Sequence, residues 1–488
     1  MKKVKKDTNC ISCLFFIFII LGCYQPDNKN NDNEEKNNLC NTYQSITRHG
    51  ITWSFDKEYT AGQFVNGDYW VVGPVTIISI TNFYHNYGFS PVQGQDGSMI
   101  NPGTDTSQGY DKSLTSYKIE LNKSYPNGLP ISNTNPLVLE INQSLVSSVS
   151  WLYDSSADTE PGCPAFNNGT KTPRPALKAA SVLTSLAFIP PSGSFRPPYS
   201  GADKTVKYNE TQIQADILKN LDPSGISQIP DSADMEADFE RVWLDHVNDY
   251  LGSYVHPSEN IPVKNGYGQY MSMKIGVAFL LLNLDYTKLP GFTSKKTLLN
   301  EMIQLGIDLT GIADNGGNWP SNGGHNMGRK IAIIFAGAML NDTHMKSAGT
   351  WTTSFQEDDS TFYVSQADVD RTHTALWKPD LRYCTAVPYE SSDIGLPEWG
   401  IRHLVKPLSD NKHWDATYRD INGSGYAGFV LAAQIMGFKS LWNHDALFDY
   451  EDRWWSLTGG THNEQQIDDF TQSMWNRFRN DYKPVWIK

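Results

Sequence analysis

A loop rich in glycine, asparagine and aromatic residues carries the side chains best suited to chemistry. It covers residues 314–330 and reads DNGGNWPSNGGHNMGRK. Asn322 and His325 stand on either side of two glycines, which let a ligand approach the backbone closely, and Trp319 offers an aromatic face to a sugar ring. We predict Asn322 and His325 as catalytic residues and Trp319 as a substrate-binding residue. The alternative is that His325 only orders the loop through a hydrogen bond.

Two basic residues follow at the start of the next predicted helix. The apolar run after them predicts a buried helix over residues 327–340, with Asn326 as its N-cap. Arg329 then lies in the first turn, where the backbone already presents partial positive charge, so it needs a negative partner. Either a protein carboxylate, such as Asp314 or Glu398, or an anionic ligand would satisfy that need. We count Arg329 among the catalytic candidates.

A second candidate loop lies within the long aromatic segment 342–424. Loops of this length in a compact domain are usually functional or wrap a site. Residues 395–403 read GLPEWGIRH, and Glu398 within them is a further catalytic candidate. The predicted substrate-binding residues of this loop are Trp399, Arg402 and His403.

Two regions of different periodicity must position these side chains. Between residues 49 and 190, short β-branched runs alternate with turn residues, and Asn66-Gly67 is a strong hairpin signal, so we predict an antiparallel β-sandwich. From residue 205 to residue 488, apolar residues recur at helical spacing and predict a helical domain. The predicted helices include residues 239–251, 270–284, 295–313, 327–340, 425–437 and 464–482.

A proline-rich linker, residues 191–204, separates the two predicted domains. Its composition favours an extended backbone. Because the linker must cross the junction, we predict that Arg196 and Tyr199 line a cleft there and bind substrate. The alternative is a rigid linker with no part in binding.

Antiparallel apolar helices with Gly/Asn/Trp/His-rich loops at one end and an attached β-sandwich resemble the incomplete or complete (α/α) toroids of carbohydrate-active enzymes, among them alginate and chondroitin lyases. The sharpest local likeness is Asn322-Gly-Gly-His325, which is similar to the Asn/His pair that these lyases place beside the carboxylate of a uronic acid. In this chain two glycines separate the pair. The β region also precedes the helices, an order more like that of certain toroid glycoside hydrolases and phosphorylases. The resemblance implies a helical toroid and a carbohydrate substrate.

Elimination at a uronic acid requires three groups. A donor or cation neutralises the carboxylate, a base removes the proton at C5, and an acid protonates the leaving oxygen. The candidates for the first two roles are Asn322, His325 and Arg329. The candidates for the acid are Tyr270, Tyr389 and Tyr418, of which we count Tyr389 and Tyr418 among the catalytic residues.

Two other functions remain open at this point. Hydrolysis of a glycoside requires a pair of carboxyl groups at a defined separation. The available acids are Asp245, Asp314, Glu390, Asp393 and Glu398. The remaining alternative is a non-catalytic surface lipoprotein that binds a glycan or a protein.

The N-terminal segment predicts export and lipid anchoring. Residues 1–22 hold four lysines before a short apolar run, which is typical of a signal peptide. The sequence ILGC that ends at Cys23 resembles a bacterial lipobox, so we predict lipidation of Cys23 and a location in the bacterial cell envelope, outside the cytoplasm. Residues 23–48 are strongly polar and predict a disordered tether. A cleaved signal without a lipid is the alternative.

Charge and cysteine content limit the partners. The formal charge is −13, and the first 22 residues carry four lysines and one aspartate, which leaves −16 for the rest. A nucleic-acid partner is therefore not expected, whereas a polysaccharide or oligosaccharide and, through the anchor, a membrane are. Beyond the signal and Cys23, the cysteines are Cys40, Cys163 and Cys384, and a Cys163–Cys384 disulfide is one pairing that the sequence allows. No zinc spacing occurs among them, and we predict neither a metal nor a cofactor.

Overall fold

The structure, a computed structural model, describes most of the chain after residue 40. The described residues are 41–82, 95–105, 107–112, 114, 116–150, 177–246, 267–375, 387–400, 406, 417–460 and 467–482. The predicted signal peptide, Cys23 and the other three cysteines of the predicted mature chain lie outside these ranges, as do Arg402 and His403. No helix within the ranges is long and apolar enough to cross a membrane.

Short apolar runs form strands in the N-terminal part. The strands are β1 (Asn41–Arg48), β2 (Ile51–Gln63), β3 (Tyr69–Val72), β4 (Val75–Asn82), β5 (Ser98–Ile100), β6 (Leu137–Leu139), β7 (Gln143–Ser150) and β8 (Leu177–Leu186). Ile51, Trp53 and Phe55 are buried while the residues between them are half-buried, which is the alternation that predicts a strand. Because β1 begins at Asn41, a strand occupies the last part of the predicted tether.

These eight strands join in one mixed sheet. Its order is β5-β7-β8-β3-β2-β4-β6, and β1 pairs with β2. β3 and β8 run parallel, whereas the other paired strands of this sheet are antiparallel. The described strands thus form a single sheet in place of the two facing antiparallel sheets of the predicted sandwich. Alternation of apolar residues indicates which face of a strand is buried, but not which strand lies beside it.

The sheet curls on itself. Trp53 on β2 donates its indole N–H to Ser147 Oγ on β7 over 2.9 Å, although β3 and β8 lie between these two strands. Neighbouring strands are about 4.8 Å apart, so a flat sheet would separate β2 and β7 by roughly 14 Å. The inner face therefore closes around its own apolar cluster. Buried members of that cluster include Ile51, Trp53, Phe55, Val71, Ile77, Leu139, Leu145 and Leu183.

The back of the sheet shares a core with the helices. On β7, Leu145 and Val149 belong to the inner cluster of the sheet, whereas Val146 between them belongs to a larger cluster that contains Phe279 and Ile331 of the helical half. One apolar core therefore continues from the sheet into the helices. Residues 40 to 488 accordingly form one compact unit.

The C-terminal part is mainly helical. The helices are α1 (Ser232–Phe239), α2 (Gly268–Leu282), α3 (Lys296–Asp314), α4 (Arg329–Met339), α5 (Thr343–Lys346), α6 (Gln356–Ser360), α7 (Gln366–Thr372), α8 (Thr417–Ile435), α9 (Lys439–Trp442), α10 (Asp445–Thr458) and α11 (Asp469–Phe478). Two short strands, β9 (Thr361–Tyr363) and β10 (Pro397–Trp399), pair antiparallel within the aromatic segment. The order of a β region followed by a helical region is confirmed.

One predicted helix is not formed over its described residues. The apolar stripe over residues 239–251 predicts a continuous helix, but α1 ends at Phe239 and residues 241–246 are irregular. Trp243 and Leu244 in this irregular segment are buried in the shared core. These residues are buried by neighbouring elements and not along one face of a helix. The spacing of apolar residues in a sequence does not distinguish the two cases.

Three apolar helices lie parallel and begin at the same end of the molecule. The α-carbon of Gly276 on α2 lies against Gly428 on α8, and Ser272 Oγ, one turn earlier, donates to Gly425 O over 3.0 Å. Gly328 at the start of α4 packs on Ser272 of α2, while Phe335, two turns later, contacts Phe279 with ring centroids 4.7 Å apart. The N-terminal ends of α2, α4 and α8 therefore come together beside the loop of residues 315–328.

Segment 191–204 is built into the interior. Arg196 is 1% exposed. Its guanidinium binds Asp68 of the β2–β3 hairpin through Nε at 2.7 Å and Asp308 of α3 through Nη2 at 2.6 Å. The Lys204 ammonium lies within hydrogen-bonding distance of four carbonyl oxygens of residues 198–201, at 2.6 to 3.3 Å. The segment thus joins the sheet to the helices through buried charges.

Glu301 on α3 is a buried carboxyl group without a full set of partners. Its side chain is 6% exposed, and its Oε2 has no hydrogen-bond partner among the residues that the structure describes. Burial, with repulsion from Glu236 and Glu240, raises the pKa of Glu301 to about 9. The folded protein therefore keeps a proton on Glu301 at neutral pH, and the unfolded chain releases that proton.

Replacing Glu301 by Gln should remove a pH-dependent loss of stability. In the wild-type protein the loss begins as the pH rises above the ordinary pKa of a glutamate and is complete above about pH 9. The neutral amide has no such loss. Urea denaturation measures the unfolding free energy of Glu301→Gln relative to the wild type. This difference should change in favour of Glu301→Gln by about 2–5 kcal/mol between about pH 4 and about pH 8.5. The same pH dependence in both proteins would contradict a buried, protonated Glu301.

Candidate functional site

The loop of residues 315–328 enters α4 through a left-handed glycine. α4 begins at Arg329, and Gly328 before it has a φ of 89°, a conformation that glycine adopts without strain. Asn326, predicted as the N-cap, instead donates its side-chain amide to Pro320 O over 2.9 Å. The N-cap prediction is therefore wrong, because Asn326 ties the loop to itself two residues before the cap.

A buried amide holds the centre of the loop. Gln356 on α6 is 0% exposed. Its Oε1 accepts hydrogen bonds from the backbone N–H groups of Asn322 and Asn326 at 3.2 and 2.9 Å. Its Nε2 donates to Gly323 O and to Asn422 Oδ1, both at 2.8 Å. The turn from Asn322 to His325 is thus fixed by a side chain beneath it.

Above this amide lies a partly exposed group of Tyr267, Asn322, His325 and Tyr418, which we call the His325 cluster. The rings of Tyr267 and His325 meet edge to face with centroids 4.4 Å apart. Tyr267 Oη accepts the backbone N–H of Gly324 over 2.9 Å. Tyr418, in the first turn of α8, packs against Gly323. Imidazole and phenol groups therefore lie beside the turn that carries Asn322.

The two glycines between Asn322 and His325 allow this arrangement. A β-carbon on Gly323 would lie 3.0 Å from a ring carbon of Tyr418, and one on Gly324 would lie 2.8 Å from Tyr267 Oη. Gly323 also has a φ of 57°. The glycines thus admit the two tyrosine rings to the backbone, where the sequence predicted close approach of a ligand.

Arg329 has its negative partner inside the protein. It is 2% exposed, and its Nε and Nη2 bind the two carboxylate oxygens of Asp245 at 2.8 and 3.3 Å. Its Nη1 donates to the carbonyl oxygens of His325 and Met327 at 3.2 and 2.8 Å. Of the two alternatives left open by the sequence, the structure favours a protein carboxylate, but the partner is neither Asp314 nor Glu398. Helical periodicity could not reveal Asp245, which lies 84 residues earlier in an irregular segment.

Lys330 is also satisfied within the protein. Its ammonium pairs with Asp358 and donates to Trp442 O over 2.7 Å. The same group lies 5.5 and 5.3 Å from the ring centroids of Phe355 and Trp442, within reach of cation–π attraction. The basic pair at the start of α4 therefore serves internal contacts.

Glu398, Tyr389 and Trp399 lie behind the His325 cluster and not on its surface. Glu398 is 0% exposed and binds Arg419 at 3.2 Å and Arg453 at a short distance. Tyr389 Oη donates to Glu398 over 3.2 Å, and burial with this adjacent charge raises the pKa of Tyr389 well above its ordinary value. Trp399 is 1% exposed and stacks on Tyr418, with centroids 6.3 Å apart. Their predicted contact with substrate does not agree with this burial.

Arg196, Tyr199 and Trp319 are buried as well. Trp319 Nε1 donates to Asp245 over 2.9 Å, and Tyr199 Oη accepts the backbone N–H of Asp245 over 2.9 Å. With Arg196 enclosed by Asp68 and Asp308, none of the three side chains presents the open surface that substrate binding requires. Trp319 and Tyr199 support the segment that carries Asp245, whereas Arg196 joins the sheet to α3. Arg402 and His403 are not among the described residues.

The carboxyl groups considered for hydrolysis are engaged separately. Asp314 binds His344 at 2.7 Å, Glu390 lies 3.6 Å from His373, and Asp393 binds Lys406 at 2.9 Å. Asp245 and Glu398 are each held by arginine. These contacts do not join any two of the five acids at the His325 cluster.

A buried acid beneath the loop responds to pH near neutrality. Glu357 Oε2 accepts the N–H of Gly328 over 3.4 Å. Burial, with repulsion from Asp358, raises the pKa of Glu357 to about 7. The Glu357 carboxyl group, beside the start of α4, therefore loses its proton as the pH rises through neutrality.

Sequence reasoning brought Asn322, His325 and Tyr418 to one place but missed several neighbours. Tyr267 follows one glycine and precedes another, and Gly268 lies against the carbonyl of His325. The Gly-Tyr-Gly motif was therefore the sequence feature that could have pointed to Tyr267. Gln356 and Asn422 had none, because a buried amide on a helix looks like any polar residue in the sequence.

Comparison with known proteins gives no family for this chain. No protein-family model, no curated protein and no solved structure matches it. Among the described residues, no group of three or more His, Cys, Asp or Glu side chains is arranged to hold a metal ion.

Replacing Arg329 by Met tests its internal role. The change leaves the Asp245 carboxylate buried without its cation, which typically costs about 3–5 kcal/mol of unfolding free energy. The double variant Asp245→Asn/Arg329→Met should recover part of that loss, because neither charge remains. Urea denaturation of the two variants and the wild type measures both effects. A folded Arg329→Met protein with unchanged stability would contradict the structural role.

Proposed function

We propose that the His325 cluster is the active site of a polysaccharide-degrading enzyme that acts on a uronic-acid-containing glycan by β-elimination. The observation that carries this proposal is the partly exposed juxtaposition of His325 with Tyr267, Asn322 and Tyr418 over a buried amide support. These side chains supply the three kinds of group that the reaction needs. The proposal includes export and lipidation at Cys23, which rest on the N-terminal sequence.

The roles follow from the chemistry of each side chain. Asn322 donates hydrogen bonds to the uronate carboxylate and stabilises the charge that develops there. His325 takes the proton from C5, and the electron pair of that bond forms the C4=C5 double bond as the C4–O bond breaks. Tyr418 donates its phenolic proton to the departing oxygen, with Tyr267 as the neighbouring alternative. The products are an unsaturated uronate and a new chain end.

The helical half supports a toroid as the finer description of the fold. The parallel helices α2, α4 and α8 are apolar and begin at the end where the His325 cluster lies. In an (α/α) toroid, inner helices run parallel, and loops at one end form the site. We therefore propose that these three helices belong to the inner ring of an incomplete toroid.

A retaining or inverting hydrolase is less well supported. It would need two carboxyl groups at the surface of the cluster, but Asp245 and Glu398 are buried against arginine side chains. A non-catalytic glycan-binding protein would use the same surface without turnover. The experiment below distinguishes both from a lyase.

His325→Ala and Tyr418→Phe should abolish elimination without unfolding the protein. On a panel of acidic polysaccharides, the wild-type protein should generate the ultraviolet absorbance of unsaturated uronates. Each variant should lower the rate by about 100-fold or more, because each removes a proton-transfer group. His344→Ala is the matched control, since His344 is half-exposed and pairs with Asp314. It should retain full activity.

Three outcomes would contradict the proposal, the first two at the reaction and the third at the site. New reducing ends without the absorbance would identify a hydrolase. Binding of a glycan without cleavage would identify a binding protein. Full elimination activity in both His325→Ala and Tyr418→Phe would place the reaction elsewhere in the molecule.

A further inference from the structure

We infer that Gln356 is a positioning residue of this site, which sets the turn carrying Asn322 and His325 relative to the helix carrying Tyr418. The effect of Gln356 on a reaction rate rests on the proposed function. The geometry itself stands on contacts among buried groups and can be measured without a substrate.

The side-chain amide of Gln356 is fully used. An amide has two N–H donors and a carbonyl oxygen with two lone pairs. Here the oxygen accepts from the backbone of Asn322 and Asn326, and the nitrogen donates to Gly323 and Asn422. The orientation of the amide is determined by this network, because two donors face its oxygen and two acceptors face its nitrogen.

Asn422 extends the contact to α8. Its Nδ2 donates to Gly323 O at 3.0 Å and to Tyr418 O at 2.8 Å. Its Oδ1 accepts from Gln356 and from Tyr426 Oη, the latter at 2.8 Å. Gly323 O thus receives hydrogen bonds from both buried amides. Through this single carbonyl, the loop and the helix that bears Tyr418 are held in one arrangement.

No helix or strand defines the turn, so its shape depends on hydrogen bonds from side chains. Tyr267 and Arg329 each bind part of it, and Gln356 makes three further bonds to it. Residues 320–327 lie outside any helix or strand, and two of the four residues from Asn322 to His325 are glycines with broad backbone freedom. Gln356 and Asn422 are each 0% exposed, so water does not compete for their hydrogen bonds. Loss of the Gln356 amide would leave two N–H groups and two oxygens, Gly323 O and Asn422 Oδ1, each short of one hydrogen bond.

The consequence is a fixed relation between the base and the acid of the proposed reaction. His325 is placed by the turn, and Tyr418 by the first turn of α8. Displacement of one reacting group by about 1 Å can lower a rate by about 100-fold. Gln356 therefore acts on the reaction through the placement of His325, and not through contact with the substrate.

Gln304 offers a matched control. It is also a buried glutamine on a helix, 4% exposed, and its amide makes two hydrogen bonds to the backbone of Arg196 at 3.0 and 3.1 Å. Gln356→Met and Gln304→Met each remove a buried amide that binds backbone groups. Only the first alters the support of the His325 cluster.

The test measures the imidazole of His325 by nuclear magnetic resonance in protein carrying labelled histidine, with His325→Ala assigning the signal. We expect Gln356→Met to move the His325 ring signals and its titration, and Gln304→Met to leave both unchanged while also lowering stability. On a cleaved substrate, Gln356→Met should lower kcat by about 10- to 100-fold with a smaller change in KM. Unchanged His325 signals and titration in Gln356→Met would overturn the inference.

A second variant covers the case in which Gln356→Met does not fold. Gln356→Glu keeps the size of the side chain and an oxygen facing Asn322 and Asn326, but a carboxyl group cannot donate to both Gly323 and Asn422 in any protonation state. It should therefore move the His325 signals as well, and unchanged signals would again overturn the inference. Because this readout needs no substrate, a failure of the proposed reaction leaves the test of positioning intact.

Discussion

A guanidinium group buried at the start of α4 determines where the candidate site lies. Arg329 must find a negative partner in the interior, since an unpaired charge there would cost several kcal/mol. It finds Asp245, and the same carboxylate accepts the indole N–H of Trp319. The Nη1 nitrogen of Arg329 donates to the carbonyl oxygens of His325 and Met327. One ion pair thus anchors the irregular segment before residue 247, the middle of the loop and the first turn of the helix.

Buried ion pairs also join distant segments of the chain at two other places. Arg196 joins the β2–β3 hairpin to α3 through Asp68 and Asp308, and Glu398 joins Arg419 on α8 to Arg453 on α10. Buried ion pairs add little net stability compared with apolar residues, but breaking one leaves a charge without compensation. Each pair therefore acts mainly as a directional contact between segments that are distant in sequence. Apolar packing alone would permit more than one relative orientation of these segments.

Local patterns predicted local structure well. The apolar spacing of residues 295–313 corresponds to α3, and the alternation at Ile51, Trp53 and Phe55 corresponds to β2. Pairing over long distances could not be predicted: the parallel contact of β3 with β8 joins strands more than 100 residues apart. The same limit applies to the site. The glycines beside His325 marked the loop, but the support from Gln356 and Asn422 required knowing which buried faces meet.

The continuous core bears on how this protein can be divided and inherited. Val146 on β7 and Phe195 in segment 191–204 belong to the same apolar cluster as Phe279 on α2. A cut in that segment would leave each half with an uncovered apolar face, which favours aggregation of either fragment in isolation. The curled sheet is thus not an accessory module that could be exchanged between proteins as a unit. We expect relatives of this chain, wherever they occur, to carry sheet and helices together and to vary mainly in the loops above them.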